Sequence, residues 1–147
     1  MTRHAAPRDD LTSVARLLKK LDICMLTTRG ADGALHGRPM SNNGKVEYDG
    51  DSWFFAFSDS RKVREIDADP RTELAFIDTP NGTWVNVEGR ASVVRDDPQR
   101  KRELWQGDLK RWFADGPDDP SVVLIKVSAR HIDAWSGEDE YMLDLDR

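Results

Sequence analysis

With 147 residues and a mass of 16.7 kDa, the chain falls within the roughly 100–200 residues of one domain, which excludes separate cofactor and substrate domains. Its 22 Lys+Arg against 27 Asp+Glu leave a net charge of −5 and a pI near 5.2, so the basic footprint of a nucleic-acid binder is missing. Charged residues make up 33% and hydrophobic ones 38%, more polar than a usual domain, yet five Trp and five Phe supply bulky core and contact area.

Along the chain, Met1 to Asp10 is polar and does not resemble a secretory signal. Leu11, Val14, Leu17, Leu18 and Leu21 recur at three- and four-residue spacing, which predicts a short amphipathic helix capped by Asp9 or Asp10. Ile23 to Arg29 and Leu35 to Met40 read as a hairpin around Gly30-Ala31-Asp32-Gly33. Asn42-Asn43-Gly44 and Asp49-Gly50-Asp51 are turn signals that bracket a short strand around Val46 and lead into the strongly β-forming Ser52 to Phe57. Ser58-Asp59-Ser60 then caps a two-turn helix, Arg61 to Ala68, stopped by Asp69-Pro70.

Thr72 to Asp78 and Thr83 to Val94 are further strands, the second alternating Trp84, Asn86 and Glu88 with Val85 and Val87. Asp97-Pro98 starts a helix predicted to run through Leu104 and Trp105 and, past Gly107, to Leu109, Trp112 and Phe113. Ser121 to Ser136 gives two strands or one bent strand. The count favours a mostly β domain, a small antiparallel barrel with short helices closing its gaps, spanning 1–147 with 1–10 and 137–147 as flexible or peripheral tails. The single cysteine, Cys24, excludes an internal disulfide, and no apolar run approaches the ~20 residues that span a bilayer. A cytoplasmic protein without a membrane partner is the expectation.

Common nucleotide, nucleophile and zinc signatures are absent, and His4, His36 and His131 stand alone in sequence, so no metal site or catalytic triad is predicted. What remains is an anion site. Ser58, Ser60, Arg61 and Lys62 lie at a strand-to-helix junction, where unpaired helix N–H groups, hydroxyls and two cations together suit a phosphate monoester, although a capped surface helix accounts for the same residues. Arg38-Pro39-Met40 ends a strand whose proline favours an edge position and leaves neighbouring backbone groups free for a ligand. Trp105 and Trp112 sit seven residues apart among Lys101, Arg102, Lys110 and Arg111 and could face a groove or partner chain.

The ordered set G-x-L-H-G-R-P-M (Gly33 to Met40), W-F-F-A-F-S-D-S-R-K-V-R-E-I (Trp53 to Ile66), D-P-R (Asp69 to Arg71), T-W-V-N-V-E-G-R-A (Thr83 to Ala91) and E-L-W through W-F-A-D-G-P-D-D-P (Glu103 to Pro120) resembles the pyridoxamine 5′-phosphate oxidase-like proteins, specifically their bacterial general stress protein branch. The likeness runs from about Leu11 to Trp135. It implies a split β-barrel that forms a homodimer, with FMN, or alternatively FAD or riboflavin, in two clefts at the subunit interface. On that likeness Arg38, Ser60, Arg61 and Lys62 match positions that hold the flavin phosphate, and Pro39 and Met40 match the segment along the ring. Phe55, Ala56, Phe57 and Ser58 match the strand end beside ribityl and phosphate, and Trp84, Trp105 and Trp112 would approach the ring. Ser41-Asn42-Asn43 lacks the second basic residue of the vitamin B6 oxidases, and the ending Tyr141 to Arg147 lacks their arginine- and histidine-containing segment, which speaks against pyridoxal phosphate synthesis. The implied function is a flavin-dependent oxidoreductase of unnamed substrate linked to stress response, with NAD(P)H or a small molecule as partner. A non-catalytic flavin-sequestering or sensing protein is the alternative, and a deazaflavin- or haem-binding barrel a second one.

Overall fold

The computed structural model describes residues 2–4, 7–42 and 46–146. In chain order the strands are β1 (Thr2–His4), β2 (Ile23–Arg29), β3 (Leu35–Ser41), β4 (Asp51–Phe57), β5 (Arg71–Asp78), β6 (Thr83–Val94), β7 (Val122–Ser136) and β8 (Asp139–Asp144). The helices are α1 (Pro7–Leu18), α2 (Arg61–Ala68) and α3 (Pro98–Leu104), with 3-10 segments at Thr79–Asn81 and Gly107–Arg111. No helix among the described residues is long and apolar enough to cross a membrane.

The sheet runs β1-β8-β7-β6-β5-β2-β3, and β4 joins it by pairing with β7. All pairs are antiparallel except β1 with β8. Strand β7 carries the curl: β6 lies along one edge, while the other edge takes β4 over residues 122–128 and β8 over residues 131–136. The register slips at Glu88/Gly89, so that Arg130 is the extra residue of a bulge that bends the pair. Gly89 is required there, since a Cβ would sit 2.4 Å from the Ser128 carbonyl oxygen. The sheet does not close: among the described residues β3 pairs only with β2, and β4 only with β7. This is the split barrel that the resemblance implies.

Alternation builds the main core. Cys24, Leu26, Leu74, Phe76, Val85, Val87, Val127 and Ile132 point inward onto Val14 and Leu18 of α1 and Val63 and Ile66 of α2. Strand β4 breaks the alternation because it is covered on both faces. Phe54 and Ala56 enter the main core, whereas Phe55 packs into a second cluster with Leu104, Leu109, Phe113, Val122 and Leu124. Burial pushes the Cys24 thiol up to about 12, which makes it an inert core residue.

Several local expectations are corrected. Helix α1 begins at Pro7, before the Asp9 or Asp10 proposed as its cap. Val46 lies in no strand; residues 43 and 44 of the Asn42-Asn43-Gly44 turn lie outside the described residues, and Asn42 instead donates from Nδ2 to the Leu18 and Leu21 carbonyls at 3.1 and 2.9 Å. Helix α3 stops at Leu104 rather than running to Phe113, because Trp105 turns extended and packs edge-on against Phe55, with ring centroids 5.4 Å apart. Residues 122–136 form one bent strand. Of the terminal residues read as tails, 139–144 form β8, whose Leu143 is buried in the main core.

Candidate functional site

The split has a consequence for the surface. Between the free edges of β3 and β4 lies a cleft of about 360 Å³, within the usual range for small-molecule sites. Pro39, Met40 and Ser41 of β3 form one wall, and Trp53, Phe54, Phe55 and Phe57 of β4 the other. Leu109, Trp112 and Phe113 from the 3-10 region roof it, and Lys62 of α2 stands at one end. Phe113 packs tilted on Phe57 with centroids 4.9 Å apart, so these rings brace one another. Trp112 is 54% exposed at the lip, with the Arg111 guanidinium 4.8 Å from its ring centre.

The end at α2 is cationic. Ser60 is the N-cap residue of α2 by backbone position, but its hydroxyl donates back to the Phe57 carbonyl at 2.8 Å and caps nothing. No acidic residue occupies the first turn, so the N-terminus of this eight-residue helix keeps unpaired donors and its partial positive charge. The Lys62 ammonium has no hydrogen bond or ion pair among the described residues. Burial first, and the charge of Arg38 second, pull its pKa below that of an ordinary lysine.

Behind Lys62 lies a network that the sequence does not announce. Arg38 donates from Nη1 to Thr28 Oγ1 at 2.7 Å and to the Leu26 carbonyl at 3.2 Å, and from Nη2 to Glu65 Oε1 at 3.3 Å. Glu65 also accepts from Thr28 Oγ1 at 2.9 Å, meets His36 Nδ1 at 2.7 Å, and stands 3.9 Å from Arg61 Nε one helical turn away. Burial raises the Glu65 carboxyl, but hydrogen bonds from Thr28 and His36, followed by the charges of His36 and Arg61, outweigh it and hold the group below the ordinary carboxylate range. Arg38 is lowered chiefly by burial; the Glu65 charge opposes this and the Arg61 charge adds to it.

Of the residues singled out in the sequence, Pro39, Met40, Phe55, Phe57, Lys62 and Trp112 line the cleft. Arg38 and Arg61 meet at Glu65 beside it. Ser58 and Ser60 lie at the β4–α2 turn, the Ser58 N–H bonded to the Ser121 carbonyl at 2.8 Å. Ala56 is buried in the main core, and Trp105 lies behind the wall against Phe55. Trp84 is on the outward face of β6, 39% exposed, in register with Ile77 and Trp135 and outside the cleft lining. Sequence reasoning missed Glu65, Thr28, Gln106, Leu109 and Phe113. Glu65 carried one legible signal, its four-residue offset from Arg61. His36, which stands alone in sequence, is joined to Glu65 in the fold at 2.7 Å.

Comparison with known proteins fits this geometry. A family model described as "Pyridoxamine 5'-phosphate oxidase like" matches residues 9–144. Protein bli-3 of Neurospora crassa is 33% identical over 113 residues, covering 70% of this chain and 53% of its own, so this chain spans about half the length of that relative. General stress protein 26 of Bacillus anthracis superposes with a TM-score of 0.75 at 25% identity, over 94% of this chain and 98% of the other. A Clostridium acetobutylicum protein, described as related to general stress protein 26 of the pyridoxinephosphate oxidase family, gives 0.78 at 19% identity over 96% and 98% and shows the shared fold.

Proposed function

The chain belongs to the pyridoxamine 5′-phosphate oxidase-like family, and from that premise we propose that the cleft holds FMN, in a homodimer acting as a flavin-dependent oxidoreductase. Family membership supports a flavin-binding fold in general. The observation that carries the specific reading is Lys62: a partly buried ammonium without a partner among the described residues, beside Arg38 and an uncapped helix start, lining a largely apolar cleft in which it is the one charged side chain. A flavin ring suits the aromatic walls, and a phosphate monoester suits the cationic end.

The residues fit FMN in role. Lys62 and the amides of α2 would take the phosphate, with Arg38 and Arg61 adding charge; Pro39, Met40, Phe55 and Trp112 would line the ring. FMN when bound supplies electron transfer, and Lys62 is the one titratable group among the described lining residues. The protein's contribution is therefore positioning, charge compensation and exclusion of water. The homodimer rests on the outward sheet face, where Ile23, Met25, Ile77 and Trp84 are exposed. Ile23 also lines the cleft, so a second copy on that face would reach the ligand. That arrangement would bring Trp84 of one copy toward the cleft of the other.

Anaerobic mixing of the FMN-loaded protein with NADH or NADPH tests the reading. Bleaching of the flavin band with either donor supports the oxidoreductase. Bound flavin that neither donor bleaches assigns the protein to flavin storage or sensing. Failure to bind FMN overturns both. Sedimentation at micromolar concentration is expected to give the dimer mass, and a monomer that still holds flavin contradicts a shared cleft.

A further inference from the structure

One cation, Lys62, lines the cleft, and two more, Arg38 and Arg61, meet at Glu65 beside it. Left alone, Arg38, Arg61 and Lys62 repel one another, and the lowered pKa values of Arg38 and Lys62 record part of that repulsion. Among the described residues, Glu65 is the acidic side chain that meets two of them, Arg38 at 3.3 Å and Arg61 at 3.9 Å. It is 8% exposed, and a buried carboxylate is retained at such a place only with its partners in good geometry.

Its partners are arranged to aim Arg38. A guanidinium has five N–H groups. Three of those on Arg38 are taken from behind, by the Leu26 carbonyl, Thr28 Oγ1 and Glu65 Oε1. Thr28 is itself fixed because its hydroxyl donates to Glu65 while accepting from Arg38. His36 holds the second carboxylate oxygen, so Glu65 cannot swing away without breaking that contact as well. The Nε–H and one Nη2–H of Arg38 have no partner among the described residues, and guanidinium donors of this kind suit phosphate oxygens.

We infer that Glu65 is a positioning residue for the phosphate anchor. It touches no ligand itself. Through Thr28 and its own carboxylate it holds Arg38 in one orientation and restrains Arg61, so that the two guanidinium groups are set for a monoester dianion. The inference rests on the proposal that the cleft binds FMN through its phosphate.

The test compares FMN with riboflavin, each titrated into the full-length protein and followed by flavin fluorescence. Wild-type protein should prefer FMN. Glu65→Ala should cut that preference roughly tenfold while riboflavin affinity stays within about twofold. Glu65→Gln, which keeps an acceptor oxygen in place, should retain the preference to within about threefold. If Glu65→Ala fails to fold, Thr28→Val carries the test, since it keeps side-chain volume, removes one link behind Arg38, and should lower the preference several-fold. A preference unchanged in Glu65→Ala or in the stand-in, or FMN and riboflavin weakened equally, overturns the role of Glu65 alone. A wild-type protein that binds the two flavins equally overturns the phosphate anchor as well, so the two failures are distinguishable.

Discussion

The two ends of the cleft are made by different means. Beside the cleft at α2, behind Lys62, Arg38, Thr28, His36 and Glu65 are bound to one another at 2.7–3.3 Å, and each side chain's position follows from its neighbours' hydrogen bonds. In the aromatic wall and roof, Phe55, Phe57, Phe113 and Trp112 are placed by packing, with Phe55 wedged between Trp105 and Phe113 at 5.4 and 6.2 Å. Directional bonds suit a site that must recognise charge, because an oxygen displaced by an ångström loses its donor. Contact packing suits a site that must accept a flat ring, because dispersion tolerates sliding. In the proposed FMN site this would separate discrimination of the ligand's charge from accommodation of its shape.

The largest expected effect belongs to the packed end. Phe55 is 7% exposed and central to the second cluster, so Phe55→Ala should cost about 3–5 kcal/mol in urea unfolding. A loss below about 1 kcal/mol would mean that this wall is not core. Next comes Lys62→Met, which should weaken FMN binding by about 1.5–3 kcal/mol and leave riboflavin unaffected. The folded environment lowers the pKa of Lys62, so its charged form opposes folding and the ligand-free variant should be at least as stable as wild type by thermal melting. Trp112→Ala is third: at 54% exposure it should change stability by less than about 0.5 kcal/mol, yet weaken FMN and riboflavin alike by about 1 kcal/mol. Unequal weakening would place Trp112 at the phosphate rather than the ring.

The smallest effect lies away from both ends and serves as a control. His131 bridges Asp144 at 2.7 Å and Asp133 at 3.0 Å, and the Asp144 hydrogen bond leads in raising its pKa above the ordinary 6.5. A raised folded pKa gives stability that is complete below the unfolded value and lost as pH rises through the folded one. The melting-temperature advantage of wild type over His131→Gln should therefore shrink as pH is raised past 6.5, by an amount equivalent to less than about 1 kcal/mol. Flavin affinity should not follow it.

What could be read from sequence was local. Trp53 to Phe57 is β-forming by composition, Asp97-Pro98 starts a helix by capping and proline geometry, and Asp69-Pro70 stops one. The Asp97 carboxylate does accept from the Arg100 N–H, at 3.0 Å. The end of α3 was not legible, because it depends on Trp105 finding Phe55, some fifty positions earlier in the chain. The Glu65 network was hidden for a similar reason. Thr28 and His36 face each other only through the β2–β3 register, and Glu65 reaches them only after α2 docks on the sheet. Lys62 was legible as part of a basic helix start, but its lack of a counter-charge is a property of the folded surroundings.

The central claim is that the cleft between β3 and β4 takes FMN with its phosphate at the start of α2. The most direct measurement is a crystal structure of the protein soaked with FMN. The account predicts a phosphate oxygen within hydrogen-bonding reach of Lys62 Nζ and the ring between Pro39 and Trp112. Flavin bound elsewhere, or the cleft filled by the protein's own side chains, would contradict it.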